Sequence, residues 1–226
     1  MIFDLARQSV RDLNGFLHGD LQAKGLPDVQ VLSPNGAHSV AVGVNAPVKI
    51  AIEGHVGYYA AGMNQHADID IRGNAGPGVA EGMCSGSVHV RGFASVAAGA
   101  AAHGGLLVID QDASLRCGIS MKGIDIVVGG DVGDYSAFMA QAGRLVVCGN
   151  AGDALGDSLY EAVIYVRGAV ASLGADAEEQ PMTAQDHSVL RDLLGRAGFD
   201  YDPREFRRIG SARKLYHWNV DANQEY

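Results

Sequence analysis

A nineteen-residue repeat constrains this chain more than any other feature of its sequence. Gly54, Gly73, Gly92, Gly130, Gly149 and Gly168 are separated by nineteen residues or by twice that number. Gln111 stands at the missing position, inside the otherwise matching run Leu107-Val-Ile-Asp-Gln-Asp112. Four and two places before each position come apolar pairs: Ile50/Ile52, Ile69/Ile71, Val88/Val90, Leu107/Ile109, Ile126/Val128, Leu145/Val147 and Ile164/Val166. Two places after come Val56, Ala75, Ala94, Ala113, Val132, Ala151 and Val170. Alternation of period two running into a turn is the signal of a strand. Its recurrence at one spacing predicts a solenoid, because a short strand with one apolar face must bury that face against the next coil.

Neighbouring coils pair edge to edge at about 4.8 Å, so seven of them make a rod roughly 30 Å long. Corner glycines are expected to turn the chain with positive φ. Asn74, Asp131 and Asn150, directly after three of them, tolerate the same left-handed region. The expected fold is all-β: a single-stranded right-handed β-helix of about seven nineteen-residue coils, with short N- and C-terminal helical caps and a C-terminal arm. No leucine-rich consensus supports a horseshoe. Nineteen is not divisible by the six-residue sub-period of the left-handed acyltransferase helix.

Three regions follow. Residues 1–47 are read as an N-terminal cap. It holds a short strand at Ile2, Phe3 and Leu5, a helix opened by Ser9 and Asp12, and an extended stretch from Val29 to Val44 over the first coil. Residues 48–175 are the β-helix. Residues 176–226 hold an acidic break, a helix capped by Thr183 and Asp186 and stopped by Gly198, and an arm from Asp200. In that arm Arg204, Arg207, Arg208, Arg213 and Lys214 lie among Phe206, Leu215, Tyr216 and Trp218 with no regular period. Such an arm either packs along the rod or reaches onto a neighbouring subunit, and its basic, aromatic character on a chain of net charge −9 favours docking on a partner subunit. The acidic balance argues against nucleic acid or an anionic membrane as partner. Met1–Asp4 shows no signal-peptide pattern, and the uncharged run Gly92–Ile109 keeps the repeat register, so a cytoplasmic location without a membrane span is expected.

The usual catalytic signatures do not occur. There is no P-loop, no strand-linked G-x-G-x-x-G, no paired-histidine zinc motif and no G-x-S-x-G. Cys84, Cys117 and Cys148 have no C-x-x-C spacing and read as buried free thiols. Asp68, Asp112, Asp131 and Asp153 fall at scattered offsets, not as the flanking acids a carbohydrate-cleaving enzyme needs. No catalytic, cofactor-binding or metal-binding residue is therefore expected on this chain. Two polar clusters stand out: His55, Tyr58, Tyr59, Asn64 and His66 in the first coil, and Asp153, Asp157, Tyr160 and Glu161 in the sixth. The bland account is a solvated outer face with tyrosines over small residues. The functional account makes Tyr58, Tyr59, Asn64, His66, Arg207, Arg208, Arg213, Tyr216 and Trp218 candidate subunit-contact or passage-lining residues.

The runs Gly73-Asn-Ala-Gly-Pro-Gly-Val-Ala-Glu-Gly-Met-Cys-Ser-Gly86 and Gly143-Arg-Leu-Val-Val-Cys-Gly-Asn-Ala-Gly152 resemble the GXGXG domain, the right-handed β-helix that closes the large subunit of glutamate synthase. A related domain is the C subunit of formylmethanofuran dehydrogenase. A narrower resemblance, to the stand-alone glutamate synthase domain-3 proteins of the GlxC type, rests on Gly54–Asn64, His103–Ile109, Arg116–Val128, Gly152–Asp157 and Gly210–Asp221. It implies the middle subunit of N-methylglutamate synthase, between an amidotransferase-like subunit and an FMN-binding subunit with iron–sulfur clusters, in a hetero-oligomeric complex. FMN and the clusters are implied on a partner, and none on this chain. Position 2 is Ile2, where a class II amidotransferase carries its nucleophilic cysteine, so the resemblance implies a scaffold. The alternatives are the formylmethanofuran-type complex and, from another class, a self-sufficient carbohydrate-acting β-helix.

Overall fold

The computed structural model describes residues 1–21, 25 and 28–212. Among the described residues eleven strands form one sheet, in which β1 to β9 follow in order and β11 (Arg207–Ser211) lies between β9 and β10 (Ala177–Gln180). Nine of them are parallel: β1 (Ile2–Asp4), β2 (Val29–Leu32), β3 (Lys49–Glu53), β4 (Asp68–Ile71), β5 (Ser87–Val90), β6 (Leu106–Ile109), β7 (Lys122–Val128), β8 (Ala142–Val147) and β9 (Val163–Val166). From β3 onward each coil advances the register by nineteen residues, so Ile50 lies beside Ile69, Ile69 beside Val88, and Leu145 beside Ile164. The expected strand pairs all point inward, none more than 2% exposed. The column Val56, Ala75, Ala94, Ala113, Val132, Ala151 and Val170 bridges coil to coil on a second wall. The molecule is a β-solenoid of about seven turns, as its period requires.

The corner glycines are present for a different reason from the one expected. Gly54 alone among them has φ in the left-handed region. At Gly73, Gly149 and Gly168 a Cβ would lie 2.4–2.7 Å from backbone atoms of the glycine one coil earlier. Stacked corners therefore touch backbone to backbone. Asn74, Asp131 and Asn150 do not adopt left-handed φ either. Their side chains accept a hydrogen bond from the main chain one coil later: Phe93 N–H to Asn74 Oδ1 (3.2 Å), Asn150 N–H to Asp131 Oδ1 (2.7 Å) and Ala169 N–H to Asn150 Oδ1 (2.9 Å). Asp112 receives Asp131 N–H at 2.8 Å in the same column. Asp112 and Asp131 are thus members of one ladder, and a second joins Asp134, Asp153 and Ser172. Of the acids read as scattered, Asp112 and Asp131 share one column and cap the backbone of the next coil, whereas Asp153 and Asp68 accept from the Ser172 (2.8 Å) and Ser87 (2.7 Å) hydroxyls one coil later.

The wall between each corner and the next strand has no counterpart in the expected fold. Positive φ occurs at alternate residues, in trios such as Tyr59/Ala61/Met63, Ala97/Gly99/Ala101 and Tyr135/Ala137/Met139. Their N–H groups reach forward and back in turn: Tyr59 to Pro77 O, Ala61 to Val40 O and Met63 to Glu81 O, at 2.8–2.9 Å. Each left-handed non-glycine residue costs about 1–2 kcal/mol, and the inter-coil hydrogen bonds made by the same residues offset that cost. Between these corners the wall contributes two inward columns. One is Ala60, Val79, Ala98, Cys117, Ser136 and Leu155; the other is Asn64, Met83, Ala102, Met121, Ala140 and Leu159.

Both ends of the stack are closed by elements that join the sheet. At the N-terminal end β1 and β2 continue the parallel ladder past the boundary drawn at residue 47. Helix α1 (Val10–Gly15) starts at a Ser9–Asp12 capping box and passes into a π-helical turn, Phe16–Asp20. Its Leu13, Phe16 and Leu17 cover the core, and Asn14 Nδ2 donates to the open edge at Ser39 O (2.8 Å). At the C-terminal end β10 (Ala177–Gln180) leads to helix α2 (Ala184–Ala197), held by a Thr183–Asp186 capping box and a left-handed Gly198. A 3₁₀ turn, Pro203–Glu205, then delivers β11 (Arg207–Ser211) antiparallel between β9 and β10. The first part of the expected docking arm is therefore a strand of this chain's own sheet. Ile209 is 1% exposed and packs with the core.

Candidate interaction surfaces

Of the first-coil cluster, Asn64 is misplaced as a contact residue. It is fully buried, donates from Nδ2 to Ala67 O (2.8 Å) and Ser85 O (3.2 Å), and accepts Ala67 N–H at Oδ1 (3.1 Å). Tyr59 is half-buried, and its ring lies where a Cβ on Gly62 would be, at 2.9 Å. His55 accepts Asn74 N–H at Nδ1 (2.9 Å), the first rung of the corner ladder. Tyr58, Met63 and His66 remain at the surface; Tyr58 and Met63 are each 52% exposed. Tyr58 stacks on His38 with ring centroids 4.2 Å apart, while its N–H donates to His38 Nδ1 (3.1 Å). That contact fixes the tyrosine ring without covering it.

The outer face of the sheet divides in two. Under α2 its residues are apolar: Leu106, Val108, Val127, Val146 and Tyr165 meet Leu190, Leu193, Leu194 and Ala197. Over β3–β5 it is charged and forms a groove of about 400 Å³ lined by Lys49, Asp68, Asp70, Arg72, Ser87, His89 and Arg91 among others. Arg72 bridges Glu53 (2.7 Å) and Asp70 (3.0 Å), Arg91 holds Asp70 from the next coil (2.7 Å), and His89 Nε2 lies 2.5 Å from Asp110 Oδ1. Burial raises the Asp70 carboxyl, but hydrogen bonds from Arg91 and Arg72 outweigh it and hold the group below its ordinary value. Asp70 is thus fixed as a carboxylate, the wrong state for a general acid. None of Asp70, Arg72, His89, Arg91 or Asp110 stands out in a linear reading. Writing the chain in nineteen-residue rows aligns Glu53, Arg72, Arg91 and Asp110 in one column, with alternate columns facing out.

Comparison with known proteins gives one full-length relationship. Protein GlxC of Rhizobium meliloti (strain 1021) is 53% identical over 226 residues, which is 100% of this chain and 99% of that protein. The chain belongs to the GlxC family. No family model matches it, and no solved structure matches it.

In this GlxC-family chain the two arginines expected to reach a partner are used internally. Arg207 bonds Gly168 O (2.7 Å) and Glu179 (3.3 Å); Arg208 reaches Asp186 (3.3 Å) and Gln180. Asp186 also accepts from the Tyr165 hydroxyl (2.7 Å) and the Thr183 cap. Burial raises the Asp186 carboxyl, yet these hydrogen bonds and Arg208 bring it below its ordinary value. Arg213, Tyr216 and Trp218 lie outside the described residues. Cys117 and Cys148 are buried, and burial pushes both thiols up to about 12. Cys84, expected inside, is exposed. Among the described residues no group of three His, Cys, Asp or Glu side chains is arranged to hold a metal ion, and no helix is long and apolar enough to cross a membrane.

Proposed function

We propose that this chain is a non-catalytic bridging subunit of a glutamate-synthase-like complex, most specifically N-methylglutamate synthase, which makes N-methylglutamate and ammonia from methylamine and glutamate. The observation that carries the bridging role is a rigid rod with two separate open surfaces. One is the first-coil corner with Tyr58 and Met63 half exposed; the other is the charged groove over β3–β5. Exposed aromatic and methionine side chains are enriched at protein interfaces, and a groove of fixed opposite charges favours one docking register. The choice of complex rests on the whole-coil resemblance to glutamate synthase domain 3 together with membership of the GlxC family. In this reading an amidotransferase-like subunit and an FMN-binding subunit with iron–sulfur clusters flank the rod, which sets the distance between their sites.

The test is affinity purification of the tagged chain from its native cells, followed by assay for methylamine-dependent N-methylglutamate formation. Both partners should co-purify, flavin should travel with a partner, and Tyr58→Ala with Met63→Ala should release at least one of them. Flavin bound to this chain alone, or full synthase activity in cells lacking it, would overturn the proposal.

A further inference from the structure

The outer face of the sheet has a further open region, between the start of α2 and the last strands. A pocket of about 770 Å³ lies there, with Arg144, Val163, Tyr165, Glu178, Val189 and Arg208 in its lining. Ligand sites commonly measure about 300–1,000 Å³. Strand pairing sets the layout. Arg144 of β8 stands beside Val163 of β9, and Arg208 of β11 stands beside Tyr165 from the other side of β9. Two arginines therefore flank an apolar floor. Val163 and Val189 pack with the cluster beneath α2 but are only partly buried, so that floor is left open. The helix start is pinned at its edge, because the Thr183–Asp186 cap also takes the Tyr165 hydroxyl at Asp186 Oδ1 (2.7 Å).

Inside the pocket, donors outnumber free acceptors. Asp186 is used up: Oδ1 accepts from Tyr165 and lies 3.3 Å from Arg208 Nε, while Oδ2 accepts the Thr183 N–H (2.8 Å) and hydroxyl (2.6 Å). Burial and the bond to Asp186 push the Tyr165 hydroxyl up, against the pull of Arg144 and Arg208, so it stays a donor. Among the described residues Arg144 is bonded through Nη1 alone, to Asp125 Oδ1 (3.1 Å). A guanidinium has five N–H donors in a planar fork that matches a carboxylate, so Arg144 keeps most of its capacity. Glu178 accepts from Gln180 Nε2 (3.1 Å) and forms no ion pair among the described residues. Its charge opposes a second anionic group on any ligand. We infer that this pocket binds a small monocarboxylate with an apolar body. The carboxylate takes the free N–H groups of Arg144, and the body rests on Val163, Tyr165 and Val189.

Isothermal titration calorimetry of the full-length chain with phenylacetate and with hexanoate tests this. At least one should saturate a single site per chain. Phenylacetamide, the same shape without the charge, should bind about tenfold more weakly than phenylacetate, the loss expected for a bond to a charged group. Glutarate, with its second carboxylate, should also bind weakly, and Glu178→Gln should strengthen glutarate while leaving phenylacetate unchanged. Arg144→Gln should abolish the difference between acid and amide, and Arg144→Lys should restore part of it. Retained amide binding and an unchanged circular-dichroism melt show that the variant pocket is intact. Saturable heat with neither acid would overturn the inference. So would equal affinity for acid and amide, sulfate as strong a ligand as phenylacetate, or acid binding unchanged in Arg144→Gln.

Discussion

Replacing Gly149 with alanine isolates the reason for the corner glycines. The added Cβ would stand 2.6 Å from both the C and O atoms of Gly130 and 2.2 Å from Asp131 Oδ1, distances that real Cβ atoms essentially never show. Asp131 cannot swing aside freely, because the same Oδ1 accepts Asn150 N–H at 2.7 Å. The backbone cannot yield without lengthening Gly149 N–H to Gly130 O, now 2.9 Å. Relief therefore loses one bond to a charged acceptor and one neutral bond, together roughly 2 to 5 kcal/mol. For a chain of this size that lowers the melting temperature by about 4 to 20 °C. Circular-dichroism melts and urea titrations should show the loss for Gly149→Ala. Gly195→Ala, at a site with nothing within 4 Å, should be neutral or stabilising by up to about 1 kcal/mol through helix propensity. Equal melts for the two variants would refute the close-contact argument.

Other outcomes follow from the same contacts. Asn64→Ala removes three buried hydrogen bonds and should destabilise by about 3 kcal/mol in urea unfolding, with little rescue from Asn64→Asp, which cannot donate to Ala67 O or Ser85 O. Ending the chain after Gly198 removes β11 and frees the edges of β9 and β10, so cooperative unfolding should move to lower temperature; ending it after Ala212 leaves the sheet whole and should not. Because Asp186 is depressed below its ordinary 3.8, its contribution to stability is present above that value and lost as pH falls through the lower folded one; Asp186→Asn should flatten that part of the stability–pH curve. A thiol reagent should label Cys84 rapidly in the native chain, and Cys117 and Cys148 only after unfolding.

Residue chemistry and period alone determined the solenoid. Inward pairs such as Ile69/Ile71, the corner column from Val56 to Val170, and both capping boxes follow from local spacing, because one coil buries its face in the same way as the next. Even the landing place of α2 is legible in rows of nineteen. The outward column runs Ala51, Asp70, His89, Val108, Val127, Val146 and Tyr165, turning apolar where the helix lies. Tertiary structure decided what sequence offsets do not encode. Gly149 reads as a turn residue until the previous coil is seen against it, and Asp131 reads as a loop acid until Asn150 is seen above it. Arg207 and Arg208 look like a free basic arm, yet β11 returns across the sheet from beyond α2 to fill the edge left by β9. The alternating φ of Tyr59, Ala61 and Met63 has no local sequence signature. Alanine, tyrosine and methionine adopt it because neighbouring coils on both sides supply hydrogen bonds that an isolated segment lacks.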